Sequence, residues 1–528
     1  MAIALAGREQ AGRILQQLGA AGVRVGGLAT DSRDLKRGEV FLALRGGRAD
    51  GRRHIGAAIA AGAQAVLGER DTENGDFEWN PDWKLPNIGV AELRQMAGYL
   101  AHEVYGRPSE QLWTMGVTGT NGKTSTSQWI AQACTACGAR TAVVGTLGLG
   151  FPPALDSTEA WDFHSLPNTT PDPVLLHRAL AELLAQGAQG VAMEVSSIGL
   201  AEGRVNGVAF GAALFTNLSR DHLDYHGDME SYARAKQALF ETPGLRHAVL
   251  NLDDVQGVRI SRELSGSGLT RTGYSTSPGV ALRAGLECWM EAHDIAVSAQ
   301  GIAFTVKSSW GEARVDSRLL GRFNVVNLLG VLATMLASGV PFGDATAAAA
   351  RLQPVPGRLQ RIGGDARPLV VVDYAHTPDA LEKVLVTLKD VSAVSGGRLL
   401  LVFGCGGDRD RGKRALMGAV AARHADRIVV TSDNPRSEDP RAIIDGILQG
   451  MGDASARAAT EVEAERGPAI RLALSHARAG DVVLLAGKGH EDYQEIAGVR
   501  LPFSDAEQAA AALAAWSQGT PHGMVRPS

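Results

Sequence analysis

The chain has 528 residues, with 52 lysines and arginines against 57 aspartates and glutamates, a formal net charge of −5 at pH 7. Hydrophobic residues at 45% and charged residues at 21% describe a folded globular protein and exclude disordered and fibrous chains. The slight acidity excludes a global basic field for nucleic acid or anionic membrane, and a norm of about 150 residues per domain predicts three to four domains.

In chain order, the first apolar stretch, Ala2 to Ala6, runs straight into Arg8 and Glu9. It is too short for a secretory signal. No later run is long and apolar enough for a membrane span. Cys134, Cys137, Cys288 and Cys405 are the only cysteines, too few for a disulfide framework. Cys134 and Cys137 read as two small residues one helical turn apart. A reducing cytoplasm is the expected compartment. The 64 glycines exceed the usual share of about 7% and have no fixed period, which predicts turns and close backbone approaches.

Short β-branched apolar runs alternate with Ala/Leu-rich amphipathic stretches, the rhythm of α/β domains. Strands are predicted at 113–118, 190–195, 213–216, 369–373, 399–403, 427–431 and 482–486. Their nearly continuous apolar character suits parallel strands covered on both faces. Helices are predicted at 124–137, 173–186, 232–240 and 378–388. A late helix opens with the capping-box pattern Ser504-Asp-Ala-Glu507 and runs to about Trp516. The tail from Gly519 has no periodicity and is expected to be loose. Two Pro/Gly joints, Tyr105-Gly-Arg-Pro-Ser109 and Gln353-Pro-Val-Pro-Gly357, mark boundaries. They divide the chain into 1–110, 111–355 and 356–528.

The sharpest motif is Gly116-Val-Thr-Gly-Thr-Asn-Gly-Lys-Thr124, between a predicted strand and a predicted helix. Such a loop lets backbone N–H groups and a helix N-terminus meet phosphate, while Lys123 neutralises it and Thr124 can ligate Mg²⁺. The general pattern places glycine at 117, where this chain has Val117. Glu194, in Met193-Glu-Val-Ser-Ser197, stands at the C-terminal end of a parallel strand, where ligands of open α/β sheets bind. It reads either as a Mg²⁺ ligand or as a surface acid beside a capping serine. The segment Thr216–Gly227 gathers Asp221, His222, Asp224 and His226; His222 reads as a metal ligand or as a structural histidine. Tyr232, Lys236 and Phe240 share one helix face. Lys236 is therefore either a desolvated reactive lysine or a snorkelling one.

Together, Thr118-Gly-Thr-Asn-Gly-Lys-Thr124, Asn168-Thr-Thr-Pro171, Met193–Ser197 and Thr216–Gly227 resemble the Mur ligase family. Its members are ATP-dependent enzymes that add amino acids to the peptide stem of the peptidoglycan precursor. The resemblance implies three α/β domains: an N-terminal uridine-nucleotide-binding domain, a central P-loop ATP-binding domain with a mostly parallel sheet, and a C-terminal Rossmann-like domain. It assigns ATP to Gly119, Thr120, Asn121, Gly122, Lys123, Thr124, Ser125, Asn327, Arg358 and Asp373. Lys123, Glu194, His222 and Lys236 become the catalytic set. Thr124, Glu194, His222 and a carbamylated Lys236 would hold Mg²⁺. Thr30, Ser32, Gly47, Arg48, Ala49, Asn168, Thr169, Thr170, Ser196, Glu202 and Arg204 would bind the UDP-MurNAc-dipeptide. Two positions depart from the family's habit, Ile198 in place of a histidine and Glu202 in place of a glutamine.

The tetrad Asp433-Asn-Pro-Arg436 resembles that of ligases adding meso-diaminopimelate, a lysine with one further carboxylate that an arginine can grip bidentately. With Arg409, Gly487 and Glu491, the residues Asp433, Asn434, Pro435 and Arg436 form the expected amino-acid site. The enzyme is expected to act as a monomer on small-molecule substrates. The competing readings are a lysine-adding member, a folylpolyglutamate synthase-like ligase, and a non-catalytic P-loop switch. The Asp31-Ser-Arg33 region and the Asp433–Arg436 tetrad argue against the second; the amino-acid pocket argues against the third.

Overall fold

A computed structural model describes residues 2–45, 50–70, 79–157, 161–298, 300–364, 366–452 and 459–516. Gly47, Arg48, Ala49 and the tail from Gly519 lie outside the described residues. The chain builds three large sheets in succession.

The first sheet is parallel, in the order β1 (Leu28–Ala29), β2 (Val40–Ala43), β3 (Ala65–Arg70) and β4 (Asn87–Ala91). The helices Ala2–Ala20 and Leu93–Val104 pack on it, their apolar side chains forming one core with Leu28, Val40, Leu42 and Leu67. Helix Leu93–Val104 also packs against the helix Pro173–Ala185 of the next unit. Gly98 permits a further close approach, to the turn around Asn206, since a Cβ there would overlap the Asn206 carbonyl.

The second sheet takes β5 (Trp113–Thr118), β6 (Thr141–Gly145), β7 (Gly148–Gly150), β8 (Gly190–Glu194), β9 (Ala212–Phe215), β10 (His247–Asn251) and β11 (Thr270–Ser275). It is completed by β12 (Cys288–Val297), β13 (Ile302–Ser308) and β14 (Gly311–Ser317). The order is β14-β13-β12-β11-β10-β9-β5-β8-β6-β7, parallel except at β7 and the β12–β14 meander. The predicted strands in this stretch are observed within a residue, while the meander was not predicted. The helices Lys123–Ala136 and Arg322–Ala337 cover one face. The latter is apolar all round, as a helix buried in a core must be.

The third sheet takes β15 (Gln360–Gly363), β16 (Leu369–Asp373), β17 (Leu399–Phe403), β18 (Arg427–Val430), β19 (Thr460–Val462) and β20 (Val482–Ala486). Its order, β15-β16-β20-β17-β18-β19, is parallel apart from edge strand β15. The helix predicted at 378–388 continues to Val394, with Pro378 at its start and the Thr377 side chain accepting from Ala380 N. A small hairpin, β21 (Tyr493–Ile496) and β22 (Val499–Pro502), precedes the final helix Asp505–Ala514. That helix is capped as its sequence predicts, Ser504 Oγ accepting from Glu507 N.

Candidate active site

The parallel strands of the second sheet end on one edge, and their loops build the site there. Strand β5 runs into the loop 119–122, and the helix Lys123–Ala136 begins at Gly122, whose φ is 88°. Val117 needs no glycine's freedom, because it is still inside β5, buried and in register with Glu194. Gly119 makes the turn instead, at φ 149°, where a Cβ would overlap Thr216 Oγ1. Lys123 folds back over the loop, its Nζ donating to the carbonyls of Gly119 and Thr120 at 2.9 Å each. Burial holds the Lys123 amine below its usual range.

Glu194 is 1% exposed, which removes the surface-acid reading. Its carboxylate accepts from Thr124 Oγ1 at 2.9 Å, Thr146 N at 2.7 Å and Thr146 Oγ1 at 3.1 Å. Gly145 leaves the space for it, since a Cβ there would overlap the carboxylate. Thr124 Oγ1 also accepts from Arg358 at 3.0 Å, a contact reaching across from the segment before the third sheet. Arg358 in turn stacks on the Tyr374 ring at 4.3 Å.

Lys236 lies on the helix Met229–Gln237 and is 1% exposed, so the snorkelling alternative fails. Its Nζ donates to Gly119 O at 2.7 Å and sits 4.4 Å from the Tyr232 ring. Burial, reinforced by the nearby Lys123 charge, holds this amine well below its usual range. His222 begins the short helix Leu223–His226 at φ 53°, with Nε2 3.5 Å from Asp221. Desolvation in the cleft lowers its imidazole to about 4 against the pull of Asp221, although 42% of the side chain stays exposed. Burial opposes ionisation of Asp221, but His376, His222 and Lys413 hold its carboxyl well below the usual range.

Lys123, Thr124, Glu194, Asp221, His222 and Arg358 line one cleft of about 770 Å³, together with Asn121, Ser125, Thr169, Ser196, Asn327 and Asp373, while Lys236 is buried behind the loop, outside this lining. Asp373 is fixed by Leu359 N and Ala375 N, each at 2.8 Å, and burial raises its pKa. Asn327, on the helix Arg322–Ala337, donates to Asn324 at 3.0 Å. Among the described residues no three or more His, Cys, Asp or Glu side chains are grouped to hold a metal. Thr124 and Glu194 supply hard oxygen donors on the cleft wall.

The dipeptide set continues from the same edge. Thr170 Oγ1 donates to Glu194 O and accepts from Ser196 N, both at 3.0 Å. Thr169 meets Thr146 at 3.0 Å. Glu202 and Arg204 form an ion pair at 2.6 Å, and Arg204 also donates to Thr170 O at 2.8 Å. Glu202 therefore orients Arg204 through an ion pair. Asn168 is exposed, and Thr30 and Ser32 lie after β1 on the first sheet, outside the cleft lining.

The amino-acid set forms a second cluster at the ends of β18 and β20. Asn434 donates to Glu491 at 2.8 Å and accepts from Lys488 Nζ at 3.1 Å. Lys488, fully buried, also donates to Glu491 at 3.0 Å and lies 3.7 Å from Asp433. Gly487, at φ 112°, lets its backbone pass directly beside the Asp433 carboxylate. Arg436 donates to Gly407 O at 2.8 Å, and its Nε lies 3.6 Å from Glu495. The Pro435 carbonyl packs against Gly407. Arg409 is exposed and makes no hydrogen bond or ion pair among the described residues.

Four contributors escaped the sequence reading: Thr146, Asp379, Lys488 and the Arg220–Asp410 ion pair at 3.2 Å. Lys488 had a signal, since it stands between Gly487 and Gly489. The others are brought in by tertiary packing alone.

Comparison with known proteins identifies the family. Three domain patterns match in order: the Mur ligase family catalytic domain over 24–105, the Mur ligase middle domain over 117–335, and the Mur ligase glutamate ligase domain over 357–489. A UDP-N-acetylmuramoyl-L-alanyl-D-glutamate–2,6-diaminopimelate ligase of Chromobacterium violaceum is 50% identical over 505 residues, covering 96% of this chain and 97% of its own. The Pseudomonas aeruginosa protein of the same name is 50% identical over 495 residues, covering 94% and 96%. A solved structure bearing that name superposes with a TM-score of 0.63 at 37% identity, over 93% of this chain and 95% of that one. The Mycobacterium tuberculosis folylpolyglutamate synthase shares the fold at 19% identity, with a TM-score of 0.58 over 74% of this chain and 92% of its own. With three family domains matched in order between residues 24 and 489 and relatives 50% identical over nearly the whole length, the chain belongs to the Mur ligase family.

Proposed function

We propose that this chain is the ATP-dependent ligase that joins meso-diaminopimelate to the D-glutamyl γ-carboxylate of UDP-MurNAc-L-Ala-D-Glu during peptidoglycan precursor synthesis. The observation that carries the specificity is Arg436, held by Gly407 O beside the Asn434–Lys488–Glu491 cluster. A lysine-adding enzyme would leave that guanidinium facing an apolar stem without a carboxylate. The named relatives at 50% identity support the same reading.

In the reaction, a carboxylate oxygen of the dipeptide attacks the γ-phosphorus of ATP, and ADP leaves. The amine of diaminopimelate then attacks the acyl carbon of the acyl phosphate. An amide forms, inorganic phosphate departs and one proton is released. Phosphoryl transfer asks chiefly for positioning and charge neutralisation. Lys123, with Thr120, Asn121, Gly122 and Ser125, holds the phosphates, while Asn327, Arg358 and Asp373 hold the adenosine side. Thr169, Thr170, Ser196 and the Glu202-oriented Arg204 present the dipeptide, with Asn168 beside them and Thr30 and Ser32 at the uridine end. Arg409, Asp433, Pro435 and Gly487 complete the diaminopimelate site.

Thr124 and Glu194 fit Mg²⁺, which prefers a few hard oxygens and keeps phosphate oxygens or water as further ligands. When bound, the ion neutralises charge on the transferring phosphoryl group. As an ammonium, Lys236 offers a cation no donor. As a carbamate it becomes an anion that, with His222, would hold a second Mg²⁺, which explains why a lysine is buried there. The enzyme acts as a cytoplasmic monomer.

The test combines purified protein, ATP, Mg²⁺ and UDP-MurNAc-dipeptide with either diaminopimelate or lysine. Phosphate release and tripeptide formation are expected with diaminopimelate; release with lysine alone overturns the specificity, and release with neither revives the switch reading. Bicarbonate depletion should lower the rate and bicarbonate restore it; indifference overturns the carbamate. A separate expectation concerns Gly145→Ala, which displaces the Glu194 carboxylate without straining the backbone. Turnover should fall about 10²-fold for a shift of roughly 1 Å, while the overpacked contact lowers the melting temperature by only a few degrees and leaves the protein folded at the assay temperature. Wild-type turnover would show that the carboxylate's place does not matter.

A further inference from the structure

The phosphate loop is tied to the third sheet's unit by a contact that the reaction chemistry does not itself require. Asn121, at the tip of the loop, donates from Nδ2 to Asp379 Oδ2 at 2.8 Å. Asp379 lies in the first turn of the helix Pro378–Val394, directly after the strand-end residues 373–377, and also accepts from Lys383 at 3.0 Å. From its own side Asn121 is fixed mainly by its backbone, its Nδ2 also donating to Ser219 Oγ at a longer 3.4 Å. Its N–H donates to Asn217 Oδ1 at 3.0 Å, and its carbonyl accepts from Thr216 Oγ1 at 2.7 Å and Asn217 Nδ2 at 3.0 Å. The side-chain amide is thus the part of Asn121 that reaches across, and Asp379 is what it reaches.

A carboxylate on a cleft wall beside a triphosphate is not a phosphate ligand, because the charges repel. Its useful contact is with the amide. An acid in a first helical turn also has an ordinary role, offsetting the helix dipole, and that role predicts stability effects only. The chemistry sets a stricter demand. An acyl phosphate hydrolyses in water, the weaker nucleophile but present as solvent, unless water is kept out, and the amine is carried by the other unit. The two units must therefore stay together while the intermediate exists.

Building on the ligase reading above, we propose that Asp379 is a positioning residue. Its hold on Asn121 keeps the amino-acid-bearing unit closed on the phosphate loop, so that the amine rather than water takes the acyl group. When the hold is lost, water adds to the acyl carbon and phosphate leaves. The free carboxylate returns, and ATP is consumed without an amide.

The experiment measures phosphate released per tripeptide formed. Wild type should give about one phosphate per amide, and Asp379→Ala about two or more, because the intermediate is no longer shielded from water. Asp379→Asn keeps a carbonyl oxygen able to accept from Asn121 and should restore a ratio near that of wild type. In an Asn121→Ala background, Asp379→Ala should add no further uncoupling. A purely structural role would lower both rates together and leave the ratio at one, which overturns the proposal. So does an Asp379→Asn variant as uncoupled as the alanine. Wild type that releases no phosphate with diaminopimelate would instead overturn the ligase reading itself.

Discussion

Replacing Arg436 with alanine is expected to lower kcat/KM for meso-diaminopimelate by about 10²- to 10³-fold, the range for losing one partner of a desolvated charge pair. Affinity for ATP should barely change. Arg436 is committed to one pose by its backbone: it sits at φ 52°, its N–H donates to Glu495 O at 3.0 Å, and its carbonyl accepts from Ala497 N at 2.7 Å. One guanidinium nitrogen is bound to Gly407 O, and Glu495 draws on the opposite side. What remains is a guanidinium edge already oriented for a planar carboxylate. Lysine cannot reproduce that edge, so Arg436→Lys should recover little. The measurement is steady-state kinetics with diaminopimelate varied, paired with nucleotide binding. Equal losses in both would contradict the role assigned to Arg436.

The parts legible in the sequence were those fixed by local chemistry. Continuous apolar runs such as Leu399–Phe403 and Val482–Ala486 are what parallel strands buried on both faces require, and the structure has strands there. The spacing of Tyr232, Lys236 and Phe240 placed a lysine on a buried face, although the helix tightens to a 3-10 turn at Ala238 before reaching Phe240. Spacing could not decide between burial and snorkelling, because the partner, Gly119 O, lies 117 residues away. Thr146 and Asp379 were silent for the same reason. A threonine after a strand and an acid in a first helical turn are ordinary locally, and only the fold sets them against Glu194 and Asn121. The β12–β14 meander differs. Ile302, Phe304 and Val306 alternate inward with a period of two, a signal present in the sequence but weaker than the continuous runs around it. The first sheet offers less still, since β1 has two residues.

Removing the Asp505 carboxylate should destabilise the third sheet's unit by about 3–5 kcal/mol, the range for stranding one member of a buried ion pair. At roughly 2–4 °C per kcal/mol for a unit of this size, the melting temperature falls by about 6–20 °C. Arg466 and Asp505 are both fully buried and doubly bonded, Nε to Oδ1 and Nη2 to Oδ2 at 2.7 Å each. The same guanidinium donates to Ser432 O at 3.3 Å and Ala486 O at 2.9 Å. Those carbonyls immediately precede Asp433 and Gly487, so one arginine pins both loops of the amino-acid cluster to the final helix. Loss of Asp505 should therefore weaken diaminopimelate binding as well as stability, with ATP binding nearly intact below the melting transition. Pairing Arg466→Met with Asp505→Leu removes the stranded charge and should recover part of the melting temperature, since well-packed apolar groups often replace a buried pair without loss. Recovery stays incomplete, because two carbonyls are left unpaired at about 1–3 kcal/mol each. Thermal melts of the three proteins check this: a double variant no more stable than Asp505→Ala would show that the stranded charge is not the cause.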